Sequence, residues 1–215
     1  MKVTLTKGTE VQNEKLVLAV LGVVVAVGLA AWATGRNAGA QSTAPGLKQV
    51  PVTFEGGHDT DRRDGGRPVV LVASALGVTP EKFREAFSGV TPARGEPPEA
   101  AQVRRNKEAL MRVLAPLGVT NDRLDEVSNF YRYRPESGEL WKHRPAKAYA
   151  MIKEGVVIGF DIADAGAGYS TAPTIRIGGM PTVKVVATIS FSTDLQKNGS
   201  VAALALEGAA TQPVK

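Results

Sequence analysis

Residues 75–85 read ALGVTPEKFRE and residues 116–126 read PLGVTNDRLDE, the same pattern displaced by 41 positions. Two copies of one helical hairpin are the simplest source of such a repeat. Gly77 and Gly118 stand where a helix can end in the left-handed conformation, and Thr79 and Thr120 follow where a hydroxyl caps the next helix. Pro80 suits a first helical position, and Glu81 and Asp122 bring negative charge to the positive end of the helix dipole. Beyond the caps, Phe83, Ala86, Phe87 and Val90 recur at helical spacing, as do Leu124, Val127 and Tyr131, which marks two core faces.

Working outward, Pro97-Pro98 leads into a helix from Glu99 to Leu114 with Val103, Leu110, Val113, Leu114 and Leu117 on one side. Val69-Val70-Leu71-Val72 suits a strand as well as a helix; the 41-residue correspondence pairs Val69 with Leu110 and Val72 with Val113 and favours helix. After Phe130 the period shortens. Tyr131-Arg132-Tyr133-Arg134 alternates, residues 135–138 turn, and residues 146–152, 156–162, 174–177, 183–191 and 201–206 are rich in strand-forming side chains. The predicted fold class is therefore α+β: a small four-helix region over 58–131, built as a duplicated helical hairpin, then a β-rich half over 132–207 and a flexible tail over 208–215. Residues 41–57 (QSTAPGLKQVPVTFEGG) mix Pro, Gly and Ser without a sustained period and read as a linker ending in a short extended piece at 50–54.

The N-terminal forty residues have another character. Lys15 closes a weakly basic start, and residues 16–33 (LVLAVLGVVVAVGLAAWA) are apolar on every face without a charge or proline. Ala38-Gly39-Ala40 before Gln41 places small side chains at the two positions a signal peptidase reads, so Ala38 and Ala40 mark a cleavage site. The run also approaches the ~20 residues of a membrane-spanning helix, so residues 1–40 are a signal peptide or an N-in signal anchor. Both fates put residue 41 onward outside the cytoplasm, in the periplasm, at the cell surface or secreted.

Composition narrows the classes. With 215 residues, 43% of them hydrophobic and 22% charged, the chain supports one ordinary domain or two small ones and a packed core. The formal charge is +5, of which +2 lies in the first forty residues. The remainder carries no dense basic stripe, so nucleic acid is not an expected partner. The absence of cysteine excludes disulfides, thiolate metal sites and cysteine nucleophiles.

Residues 155–162 (GVVIGFDI) followed by 166–177 (GAGYSTAPTIRI) resemble the Gly-x-Gly-Tyr…Pro β-repeat of bacterial surface proteins and phage tail proteins. The resemblance implies a strand, a glycine turn at Gly166 and Gly168, and a second strand, with Tyr169 and Pro173 packing the corner. Residues 198–204 (NGSVAAL) look like the opening of another copy, without a second Gly-Tyr corner. In their order, GGHDTD, RRNKEAL, VTNDRLDEVSN and GAGYSTAP are also similar to a family of secreted proteins of planctomycete-type bacteria. That family carries no assigned activity, so the likeness implies location and no chemistry.

Two stretches are site-like. His58, Asp59 and Asp61, with Asp64 close by, can ligate a divalent cation, and a two-histidine site would need His143, the one other histidine, to meet His58. The competing reading is a solvated cap in which Arg62, Arg63 and Arg67 neutralise the carboxylates. Tyr131, Tyr133, Trp141 and Arg144 belong to an aromatic and basic stretch suited to a glycan or protein ligand, with Trp141 and Arg144 expected at the surface. Here the competing reading buries Tyr131 and Tyr133 by strand alternation. Ser74, Ser88 and Ser128 lack a nucleophile elbow, and Asp125 and Glu126 point to different helix faces. The expected function is an exported, non-catalytic binding module of the cell envelope or secreted space, with no cofactor beyond a possible divalent cation. Its partner is an envelope component, glycan or protein; the membrane is met only through residues 16–33 if they are retained, and open sheet edges leave homo-oligomers possible. The alternative is a metal-dependent hydrolase using the His58, Asp59 and Asp61 cluster.

Overall fold

Alternation of Val50, Val52 and Phe54 with more exposed neighbours builds the first strand, β1 (Leu47–Glu55), in a computed structural model that describes residues 46–91, 99–134 and 137–208. Four helices follow: α1 (Val69–Ala75), α2 (Pro80–Phe87), α3 (Ala100–Leu114) and α4 (Asn121–Phe130). Among the described residues five strands follow: β2 (Lys147–Lys153), β3 (Val156–Asp164), β4 (Thr174–Ile177), β5 (Val185–Ser190) and β6 (Ser200–Leu206). The class is α+β, with a four-stranded antiparallel sheet in the order β3-β2-β1-β4 and a separate β5-β6 hairpin.

The stretch read as a linker, 41–57, is corrected by β1, which lies inside the sheet between β2 and β4. Pro51 is opposite Tyr149 of β2, and β4 pairs with β1 only from Val52 to Glu55, so β1 is flanked on both sides only beyond the proline. Val52, Ala148, Ala150, Ile152, Val157, Ile175 and Ile177 form the apolar face of the sheet, and Val185, Ala187, Leu204 and Leu206 of the β5-β6 hairpin pack against it. The alternating pattern also overreached. Tyr131 ends α4, its N–H bonded to the Val127 carbonyl at 3.1 Å, and residues 132–134 form no strand. Four alternating residues are too few to outweigh a helix still closing its last turn.

The two helix turns have the same bonds 41 residues apart. The Val78 N–H reaches the Ala73 carbonyl at 3.0 Å, and the Val119 N–H reaches that of Leu114 at 3.3 Å. Gly77 and Gly118 take φ of 73° and 88°, a region that L side chains resist. The Thr79 and Thr120 hydroxyls accept from the N–H groups of Lys82 and Arg123 at 3.3 and 3.2 Å. The ion pairs Lys82–Glu85 and Arg123–Glu126 repeat as well. Val69–Val72 is helical, and Leu71, Leu114 and Val127 are sealed in the helical core, each worth ~1.5–3 kcal/mol of apolar burial. The long helix is less buried than its pattern implied: Val103 and Leu117 stay exposed while Leu114 is buried.

Residues 1–40, with the apolar run 16–33 and the cleavage residues Ala38 and Ala40, lie outside the described residues, as do 41–45 of the expected linker and 209–215 of the expected tail. Among the described residues, no helix is long and apolar enough to cross a membrane.

Candidate functional site

The glycine corner between β3 and β4 organises the molecule. β3 and β4 lie at opposite edges of the sheet, so the chain must cross it, and residues 166–170 are all buried on the way. Gly168, at φ 86°, is pressed so close that a Cβ there would sit 2.7 Å from the His143 Cβ and 2.9 Å from the Lys142 carbonyl. Gly166, at φ 67°, is as tightly held against the backbone of residues 144 and 146. The Tyr169 hydroxyl accepts the Ala146 N–H at 3.0 Å, and Pro173 is buried beside it, close to Gly57. Trp141, 2% exposed, donates its indole N–H to the Gly168 carbonyl at 2.8 Å.

His58 enters this corner from the loop after β1. Its ring lies 5.4 Å from Tyr169, 5.9 Å from Trp141 and 4.7 Å from His143, centroid to centroid. The two histidines, 85 positions apart in the chain, therefore meet. Burial first, and the neighbouring His143 second, hold the His58 imidazole below its usual pKa, against smaller opposing effects of Asp59 and the Gly56 carbonyl. His58 Nε2 is buried with no hydrogen-bond partner. His143 is exposed at the surface and holds its Nδ1 2.9 Å from the Trp141 carbonyl. A carbonyl can only accept, so that nitrogen carries the hydrogen.

The carboxylates expected beside His58 go elsewhere. Asp61 caps the 3₁₀ turn Arg62–Asp64 and is gripped by the Arg63 guanidinium at 2.7 Å, whose hydrogen bonds hold its pKa well below the usual carboxylate range. The Asp59 carboxylate meets the Thr171 hydroxyl at 3.3 Å. Asp64, 4% exposed, pairs with Arg84 at 2.8 and 2.9 Å. The neutralising arginine for Asp64 is thus one from α2, twenty residues on, and not the adjacent Arg62 or Arg67. Arg67 instead lies over the Phe87 ring at 4.3 Å. Among the described residues, no three His, Cys, Asp or Glu side chains converge as a metal cluster. Asp59 and Asp61 are not brought together with His58 as a ligand set.

The aromatic contact surface is corrected in the same way. Trp141 and Tyr131 are buried, and burial raises the pKa of both Tyr131 and Tyr133. The Tyr133 hydroxyl donates to the Gly66 carbonyl. Arg144 is half-exposed but committed: it pairs with Asp164, which the Gly166 N–H and Arg144 hold below its usual pKa. Partners within the fold, backbone carbonyls for Trp141 and Tyr133 and the side chains of Asn198 and Asp164 for Tyr131 and Arg144, claimed these side chains, which composition alone does not foretell. The residue that sequence reasoning missed is Asn198. It is fully buried, donates to the Leu71 carbonyl at 2.7 Å and meets the Tyr131 hydroxyl at 2.8 Å, while its Oδ1 accepts the Ser192 N–H at 3.0 Å. Its side chain ties the loop before β6 to α1 and to the end of α4; the only hint was a polar residue before a glycine ahead of an apolar strand.

A cleft of about 640 Å³ runs between β4 and β5. Pro173, Met180, Val183, Val185 and Val186 supply apolar lining, and Arg176 and Lys184 stand at its rim, paired with Glu55 and Glu207. Among the described residues β4 pairs only with β1 and β5 only with β6, so each keeps an unpaired edge. No family model, curated protein or solved structure matches the chain.

Proposed function

We propose that this chain is an exported, non-catalytic binding module of the cell envelope or secreted space that takes an extended polypeptide segment of a protein partner along the β4-β5 cleft. One observation carries the reading: the cleft lies between two strands that each keep a free edge, and Val186 is an exposed apolar side chain on one of them. An extended segment laid there gains main-chain hydrogen bonds from a strand edge and places alternate side chains on the apolar lining. The rim charges already have partners, so recognition rests on backbone pairing and apolar contact more than on charge. The buried aromatic corner and the helical region serve as the scaffold that holds the hairpin over the sheet. The two helical hairpins are read as copies of one unit, supported by turn bonds, caps and ion pairs that recur 41 residues apart.

The test is a photo-crosslinking side chain at position 186 in the producing cells, with the same probe at Val103 as a control on an exposed helix. Crosslinking to an extracytoplasmic protein from position 186 alone supports the reading. Equal labelling from both positions, or none from 186, overturns it. Mass spectrometry of the N-terminus of the same material tests export: a chain starting at Gln41, or a membrane-bound chain with its domain outside, is expected, and a sole cytoplasmic form starting at Met1 refutes it.

A further inference from the structure

We propose that His58 and His143 form a two-histidine site for a borderline transition-metal dication, Zn²⁺ in the first instance, with water completing the coordination. The inference stands apart from the cleft and does not depend on it.

Four observations carry it. The rings lie 4.7 Å apart at an interplanar angle of 60°. Two imidazoles on one tetrahedral ion, each nitrogen about 2.0–2.1 Å from it, hold their ring centroids about 5 Å apart, a spacing close to that of this pair. The His143 tautomer is set by the Trp141 carbonyl, which lies 2.9 Å from its Nδ1. A carbonyl on Nδ1 leaves the lone pair on Nε2, the outer-shell arrangement that orients a metal-binding imidazole. His58 Nε2 is buried and without any partner, and a buried polar atom left so is costly unless something unseen satisfies it. Finally, His143 is at the surface, which gives an ion a way in, and the Asp59 charge acts on His58 with the sign that favours a cation.

The donor set selects the metal class. Two neutral nitrogens and water suit zinc, nickel or copper, while calcium and magnesium prefer an all-oxygen shell. The packing around the pair explains why the nitrogens stay in place: Trp141 and Tyr169 wall in His58, and Gly168 fits against His143 only because it has no side chain.

The sequence makes the experiment clean, because these are the only histidines and there is no cysteine. The untagged chain is titrated with ZnCl₂ at pH 7.5 while the two imidazole proton resonances are followed by NMR and the thermal midpoint is recorded. One equivalent is expected to move both resonances together and to raise the midpoint, and CaCl₂ to do neither. His143→Gln, at an exposed position, and His58→Phe, which keeps the ring packing, are each expected to weaken binding more than tenfold. The proposal is overturned if a tenfold excess of zinc moves neither resonance, if only one moves, or if His143→Gln binds as wild type does.

Discussion

Replacing Asn198 by Ala is the sharpest probe of how the helices and strands are joined. Asn198 is 0% exposed and satisfies three groups at once: the Leu71 carbonyl, the Tyr131 hydroxyl and the Ser192 N–H. Truncation leaves all three short of a partner. A buried polar group stripped of its partner costs ~1–3 kcal/mol, but the Leu71 carbonyl lies within a helix, the Ser192 N–H is only part-buried, and water can enter the space left by the amide. The expected loss is therefore about 3 kcal/mol rather than the sum of three full penalties. For a chain of this size that corresponds to roughly 6–12 °C in Tm, at ~2–4 °C per kcal/mol. Urea unfolding followed by Trp141 fluorescence and by far-UV circular dichroism measures it, since one reports the corner and the other the helices. Tyr131→Phe should cost about 1 kcal/mol, and in the double variant the two losses should fall short of additivity by a similar amount, because they share one hydrogen bond. A loss below about 0.5 kcal/mol for Asn198→Ala, or strict additivity with Tyr131→Phe, would refute the idea that this side chain joins the two parts.

Stability should also depend on pH in a direction fixed by His58. Its folded pKa lies below the ordinary 6.5, so over the interval beneath 6.5 the unfolded chain binds a proton that the native chain does not. The contribution is complete above 6.5 and declines as pH falls toward the folded value. Asp164, with its pKa held below 3.8, adds a further loss only at more acid pH. Urea midpoints measured in EDTA should fall between pH 6.5 and 5.5 for the native chain and stay flatter for His58→Phe; parallel slopes would contradict the assignment. Gly168→Ala combines the left-handed strain of ~1–2 kcal/mol with a Cβ 2.7 Å from that of His143, for a total loss of about 2–4 kcal/mol. Because it also displaces the carbonyl that accepts the Trp141 indole N–H, a red shift of Trp141 emission should accompany the loss; an unshifted spectrum with native stability would mean the corner is looser than described.

The helical part was readable because its signals are local. Gly77 and Gly118 act through φ, Thr79 and Thr120 reach N–H groups three residues on, and the apolar faces repeat within each helix. Strands β2 to β6 were readable for a similar reason, since a run of β-branched and apolar residues bounded by glycine is itself a strand signal. β1 was underread because Pro51 and the surrounding glycines have the composition of a linker, and only the register with β2 and β4 places it inside the sheet.

Which side chains were free to act was a tertiary matter. Trp141 among basic residues has the composition of a contact surface; the Gly168 carbonyl, 27 residues away, makes it part of the core. Asp61 and Asp64 beside arginines looked like a local charge cap, and the partner of Asp64 comes from α2. Sequence by itself determined the class of fold and the helices α2 to α4 with the turns and caps at Gly77, Thr79, Gly118 and Thr120, because propensity, capping and positive φ act within a few residues. The tertiary structure alone decided that His58 meets His143, that Asn198 is sealed between α1 and α4, and that a cleft opens between two strand edges. Those outcomes depend on contacts between residues as many as 127 positions apart, which no local pattern encodes.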